Sequence, residues 1–188
     1  MKTVFTLIIM SLAFTLEAGG FYGVGLEIDT YDPISGNYYH QVTEEKEKTG
    51  FLSKGTTKNL TNIAIFNPKT NTHKMLLDVD KKRDISIFIF ESGFKEGSLE
   101  FNSDMGRYGN IKNNTGIAQR QIKDKLLIGI KKPKQRMTEL YTAKKDGSKL
   151  QKLTNISFDS SWHLDSKNSK IRIITVKAGK FNIVSFDW

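Results

Sequence analysis

The chain has 188 residues, no cysteine and a formal net charge of +9. That length holds one domain with a real core, and the missing thiols exclude disulfide staples and cysteine-ligated metal. The charge is local. Residues 1–106 carry 11 Lys/Arg against 14 Asp/Glu, residues 107–136 carry nine against one, and residues 137–188 carry nine against five. A basic stretch of this density is the composition's clearest functional hint.

Residues 1–18 read as a secretory signal peptide. Lys2 gives the positive start, Val4 to Leu16 is apolar apart from Thr6, Ser11 and Thr15, and Ala18-Gly19-Gly20 suits a signal peptidase. The apolar run falls short of the roughly 20 residues a membrane-spanning helix needs. Residues 19–188 are then a single β-rich domain, periplasmic or secreted. Phe21 to Ile28 alternates like a strand, Asp32-Pro33-Ile34-Ser35-Gly36 is a turn cluster, and Tyr38, Tyr39 and Val42 fit a return strand. Thr43 to Lys48 reads as a charged loop or hairpin tip, with room for a further strand from Phe51.

Ile63 to Phe66 and Lys74 to Leu77 flank the turn Asn67-Pro68-Lys69-Thr70-Asn71, which predicts a hairpin. Asp84 to Phe90 is apolar on both faces at its end, the mark of a strand central in its sheet. Glu91 to about Asn114 reads as irregular, and Thr115 to Lys125 has spacing for at most one short helix. Leu126 to Ile130 is a strand broken by Pro133. Glu139 to Ala143 and Leu150 to Thr154 flank the turn Lys145-Asp146-Gly147-Ser148. Ile171 to Val176 and Phe181 to Phe186 close the chain as a hairpin about Ala178-Gly179, and a terminal strand ending in Trp188 is expected to be docked.

The stretch Glu139-Leu140-Tyr141-Thr142-Ala143-Lys144-Lys145-Asp146-Gly147-Ser148, with Leu150 to Thr154 and Trp162 beyond, resembles a strand, turn and strand of TolB-like β-propeller blades. Asn67 to Thr72 with Leu76-Leu77 is a second, shorter copy. The resemblance covers 60 to 80 residues and implies four-stranded antiparallel sheets. The segment Trp162 to Asn168 departs from the Pro-Asp-Gly those blades carry after their Trp. The chain as a whole also resembles exported bacterial proteins of its size, which supplies a class and no activity. The fold expected is therefore all-β, with antiparallel hairpins in blade-like sheets forming a partial or small propeller-like array, or else a β-sandwich.

The candidate site is the basic stretch: Arg107, Lys112, Arg120, Lys123, Lys125, Lys131, Lys132, Lys134 and Arg136, with Tyr108 as its one aromatic. Such a set suits a polyanion: anionic lipid head groups, acidic glycans or an acidic partner protein. Nucleic acid fits less well, since few stacking aromatics accompany the cations. The bland alternative is a solubilising face around one strand, because the cations flank the apolar run Leu126 to Ile130. His163 with Asp165 is the one pair that resembles a catalytic dyad, and an envelope hydrolase with a dispersed site there is the competing reading. His40, His73 and His163 lack metal-ligand spacing. Asp78, Asp80 and Asp84 are interleaved with Lys81, Lys82 and Arg83 and read as a solvated loop rather than a calcium site. Gly20, Gly23 and Gly25 have no strand before them to make a phosphate loop. No cofactor is expected. The sequons at Asn59, Asn113 and Asn155 are assigned no role.

Overall fold

The computed structural model describes residues 29–47, 56–81, 83–102 and 110–188. The signal peptide, the strand expected over 21–28, the glycines near it, the start at Phe51, and Arg107 and Tyr108 lie outside these residues. The first sheet is a four-stranded meander of β1 (Asp29–Tyr31), β2 (Tyr38–Glu47), β3 (Thr56–Asn67) and β4 (Thr72–Met75). Its turns follow local chemistry. The Asp32 carboxylate accepts the Ile34 and Ser35 N–H groups at 3.2 and 3.1 Å, and Gly36 supplies the positive φ that the turn requires.

The middle of the chain gives β5 (Ile85–Ile89), β6 (Glu91–Lys95), β7 (Ser98–Phe101), β8 (Ile111–Lys112), β9 (Leu126–Lys132), β10 (Met137–Ala143) and β11 (Gln151–Ser157). The second sheet has the order β11-β10-β9-β5, and β6 with β7 forms a separate hairpin. The third sheet is built from β12 (Ser161–Asp165), β13 (Lys170–Lys177) and β14 (Lys180–Asp187), with β8 added parallel to β12 at one edge. Every other strand pairing described is antiparallel. The fold is thus all-β, made of antiparallel hairpin sheets, and among the described residues the sheets close into no barrel or propeller.

No α-helix forms among these residues; the one helical element is a single 3-10 turn, Pro133–Gln135. The short helix allowed for near 115–125 is absent. Gly116 has φ +62, and 117–125 carry no regular structure because their polar groups are drawn to Glu91 instead. The irregular stretch expected from Glu91 contains three short strands, which lack the apolar alternation that marks longer ones.

The second sheet is the middle layer of three. Ile85, Phe88, Phe90, Leu126, Ile128, Ile130 and Ala143 pack against Tyr39, Leu60, Ile63, Ile65, Leu76 and Leu77 of the first sheet and its flanks. From its other face, Ile87, Ile89, Leu127, Leu140 and Ile156 meet Leu164, Ile171, Ile173 and Trp188. A register shift between Ile85 and Ile87 lets Ile85 share a face with Phe88 rather than with Ile87. Strand β5 is an edge in hydrogen-bonding order, not central as its composition implies; it is apolar on both faces because its sheet is covered on both sides.

The first interface centres on Tyr39, Phe88 and Phe90, whose ring centroids lie 5.0–5.8 Å apart. Contacts of this kind contribute about 0.5–1.5 kcal/mol each beyond their buried area. Within the middle sheet, Gly129 lets Ile87 of the neighbouring strand lie directly on the β9 backbone: a Cβ at 129 would come within 2.6 Å of the Ile87 side chain. Gly129→Ala is expected to cost at least about 1–3 kcal/mol, through overpacking that moves one strand off the other. Urea denaturation checks this; an unchanged midpoint would mean that Ile87 does not lie this closely on β9.

Candidate anion-binding site

Strand β9 carries the basic stretch out of the core. Leu126 to Ile130 are buried, and the chain emerges at Lys131 and Lys132. Pro133 then stops the strand: it has no N–H for the ladder and its fixed φ starts the 3-10 turn. Arg136 closes that turn in the left-handed conformation, φ +50, with its N–H donating to the Pro133 carbonyl. On the other side, the Lys131 N–H donates to the Asp84 carbonyl at 2.8 Å, pinning the approach to β5 alongside. Between these two segments lies a cleft of about 420 Å³ walled by Arg83, Asp84, Lys131, Lys132, Pro133 and Lys134.

The cations of this cleft differ in how committed they are. Arg83 pairs with Asp78 at 3.8 Å and also donates to the Asp78 carbonyl. Lys132 pairs at 3.3 Å with Glu139, which also accepts from Lys152 and from the Tyr141 hydroxyl. Burial opposes ionisation of Glu139, yet these three donors hold its carboxyl below the ordinary range. Lys131 and Lys134 are exposed and, among the described residues, have no ion-pair partner. A ligand anion would therefore meet two uncommitted ammonium groups, flanked by Lys132 and Arg83, over the Pro133 ring and the lysine stems.

The other predicted site residues go elsewhere. Arg136 lies outside the cleft walls and pairs with Asp159 at 3.3 Å. Lys112 is exposed on β8, in the third sheet. Arg120, Lys123 and Lys125 gather around Glu91 and Trp188. Glu91 is fully buried and receives Arg120 through both guanidinium NH₂ groups at 2.8 and 2.7 Å. It also accepts the Lys123 N–H at 3.0 Å and the Trp188 indole N–H at 2.8 Å. Burial pushes the Glu91 carboxyl up, but these donors outweigh it and its pKa lies below the ordinary value. The Lys123 ammonium donates to the Trp188 carbonyl, and Lys125 lies 5.9 Å from the Trp188 ring centroid. This part of the basic stretch is a structural knot that docks Trp188, with Arg120 and Lys123 engaged in it and Lys125 half-exposed at its margin.

A second buried charge continues the knot. The Lys145 ammonium is 2.8 Å from Asp32 and donates to the Glu91 carbonyl at 2.6 Å. The Lys145 carbonyl accepts from Asn37 and from the Tyr39 hydroxyl. Burial first, and the Asp32 carboxylate next, push that phenol above its ordinary range.

His163 and Asp165 stand two residues apart on β12, on one face. The Asp165 carboxylate accepts from Asn113, Asn168 and Arg172 at 2.8–3.0 Å, and no bond to His163 is among these. Desolvation opposes its ionisation, but these donors hold its carboxyl well below the usual range. Among the described residues, no group of three or more His, Asp or Glu side chains is placed to hold a metal ion. Asp78 is engaged by Arg83, as its interleaving with cations implies.

Arg83 is the cleft residue that charge counting along the chain overlooks, since it lies 48 positions before Lys131. Its signal is the run Lys81-Lys82-Arg83 abutting the most apolar strand. Against known proteins, the chain matches no family model, no curated protein and no solved structure.

Proposed function

We propose that this is an exported, non-enzymatic binding domain that engages an anionic envelope component through the cleft between Arg83 and Lys134. The observation that carries the reading is the convergence of Arg83, Lys131, Lys132 and Lys134 on one cleft, with two of the four ammonium or guanidinium groups uncommitted. Paired cations contribute little new attraction, because a ligand must compete with their present partners. Unpaired ones desolvate against the ligand alone. The signal-like start of the chain supports a location where the partners are lipid head groups, acidic glycans or acidic proteins. The likeness of its hairpins to TolB-like blades belongs to the same reading, as a likeness of single sheets.

Cosedimentation with vesicles of phosphatidylglycerol in phosphatidylcholine tests the proposal. The variant Lys131→Gln with Lys134→Gln is expected to lose about 1 kcal/mol of binding per lysine, so roughly tenfold or more in partitioning. The control Lys112→Gln with Arg136→Gln removes the same charge outside the cleft and is expected to lose much less. Equal losses would reduce the effect to net charge, and no loss in either would refute a role for the basic stretch in lipid binding.

A further inference from the structure

We propose that the tip of the β13–β14 hairpin is a membrane contact: its outward face enters the interface of an anionic bilayer while Lys177 and Lys180 engage the lipid phosphates. The register fixes which side chains share a face, because successive residues of a strand point to opposite sides. At the base of the hairpin the polarity is ordinary. Ile171, Ile173 and Phe186 face the core. The outward rows there are polar: Lys170 pairs with Asp187 opposite it, and Arg172 donates to Ser185.

Past the Ile173–Val184 rung the pattern inverts. The outward positions become Ile174, Val176, Phe181 and Ile183, and the core-side positions become Thr175, Lys177, Lys180 and Asn182. Residues 176–185 are exposed without a break, so this end projects beyond the layer beneath it. Val176 and Phe181 stand opposite each other and are each 65% exposed, and Ile183 behind them is 46% exposed. Single exposed apolar residues are ordinary, but an apolar face that changes sides where the core ends is not. The turn agrees. Ala178 has φ +49 and Gly179 φ +73, a geometry that favours Asn, Asp or Gly at the first position, and Ala is the more strained and less polar choice there.

The reverse face identifies the partner by charge. Lys177 and Lys180 form the last rung, and like charges directly opposite each other destabilise a strand pair. Among the described residues neither has an ion-pair partner, and residues 166–186 hold five Lys/Arg and no Asp/Glu. A soluble anion would satisfy these lysines and leave the apolar rows bare. An apolar protein surface would do the opposite. An anionic bilayer meets both: the outward rows lie against the upper acyl chains, and the lysine stems reach back to the phosphates. This contact lies on a different sheet from the cleft and does not rest on it.

The chain has no cysteine, so one introduced thiol carries a probe without competition. Phe181→Cys labelled with the polarity-sensitive fluorophore nitrobenzoxadiazole is mixed with vesicles of phosphatidylglycerol in phosphatidylcholine. A blue shift with a severalfold rise in emission is expected, and no change for the same label at Phe66→Cys on the outer face of the first sheet. Cosedimentation gives the energetics. Val176→Thr with Phe181→Thr keeps β-branched side chains for the strands and is expected to lower partitioning roughly tenfold. Lys177→Gln with Lys180→Gln is expected to lower it about fivefold per lysine.

A label at 181 that stays water-like as vesicles are added would overturn the proposal, as would unchanged partitioning of the threonine variant. A blue shift that grows with protein concentration in the absence of lipid would overturn it in favour of a second copy on this face. Equal shifts at 66 and 181 would reduce it to unspecific adsorption. Where Phe181→Cys loses its thermal unfolding transition, Ile183→Cys puts the probe on the same face. The shift at 181 is also expected at saturating lipid in the protein carrying Lys131→Gln and Lys134→Gln. Its persistence there separates the hairpin from the fate of the cleft, and its loss would overturn the hairpin as a contact of its own.

Discussion

Glu91→Ala is expected to cost about 3–5 kcal/mol, one of the two largest losses of any single substitution outside the apolar layers. Glu91 is fully buried, and its carboxylate gathers two distant parts of the chain: the 120–123 segment, through the Arg120 guanidinium and the Lys123 N–H, and the Trp188 indole. Removing it deprives the half-buried Arg120 guanidinium of its carboxylate and leaves the buried Trp188 N–H without its acceptor. It also frees the 117–125 segment, which has no regular structure of its own to hold it. In a domain of this size the thermal midpoint should fall by about 10 °C or more.

The same carboxylate couples stability to pH. Its folded pKa lies below its ordinary value, so its contribution is fully present above the ordinary carboxylate range and is lost as pH falls through the folded pKa. Urea denaturation at pH 7 and near pH 4 should therefore show wild type losing more stability on acidification than Glu91→Ala does. Equal losses would mean that folding does not lower the Glu91 pKa, and a smaller loss in wild type would mean that Glu91 is not ionised in the folded protein.

Lys145→Met is expected to rank with it, again at about 3–5 kcal/mol. The Lys145 ammonium is 1% exposed and is held by Asp32 and by the Glu91 carbonyl, 5.2 Å from the Phe90 ring centroid. Methionine keeps the volume but leaves the buried Asp32 carboxylate with only its turn donors, the Ile34 and Ser35 N–H groups and the Ser35 hydroxyl. Adding Asp32→Asn to Lys145→Met removes that stranded charge, while Asn still accepts in the turn. The double variant is therefore expected to be more stable than the Lys145→Met single, with a coupling of about 1–3 kcal/mol in the double-mutant cycle. Additive losses would mean that the two charges do not meet.

These two residues also mark where sequence reading stops. The hairpins were legible because their signals are local. Asp32 and Gly36, Asn67 to Asn71, and Asp146-Gly147 fix turns through side chains and φ values that need nothing from the rest of the molecule. The all-β character followed from the apolar runs between those turns.

The layering did not follow. Asp84 to Phe90 reads as a central strand, yet it is an edge strand in a central sheet, and periodicity cannot separate those cases. The basic stretch was legible as a charge excess but not as a site. Whether a cation of that stretch faces solvent or a buried carboxylate depends on Glu91, which lies 29 residues before Arg120 in sequence. So one apparent patch divides into a knot around Trp188, an Arg136–Asp159 pair, an isolated Lys112 and a cleft completed by Arg83.

The functional reading rests on that cleft. Its most direct test is an amide chemical-shift titration of the ¹⁵N-labelled protein with phosphatidylglycerol-containing nanodiscs, with phosphatidylcholine nanodiscs as the reference. Outside the β13–β14 hairpin, shifts concentrated at residues 83–84 and 131–135, and suppressed by added salt, are the expected result. Shifts centred on other surfaces, or equal for both lipids, would contradict a function built on the Arg83–Lys134 cleft.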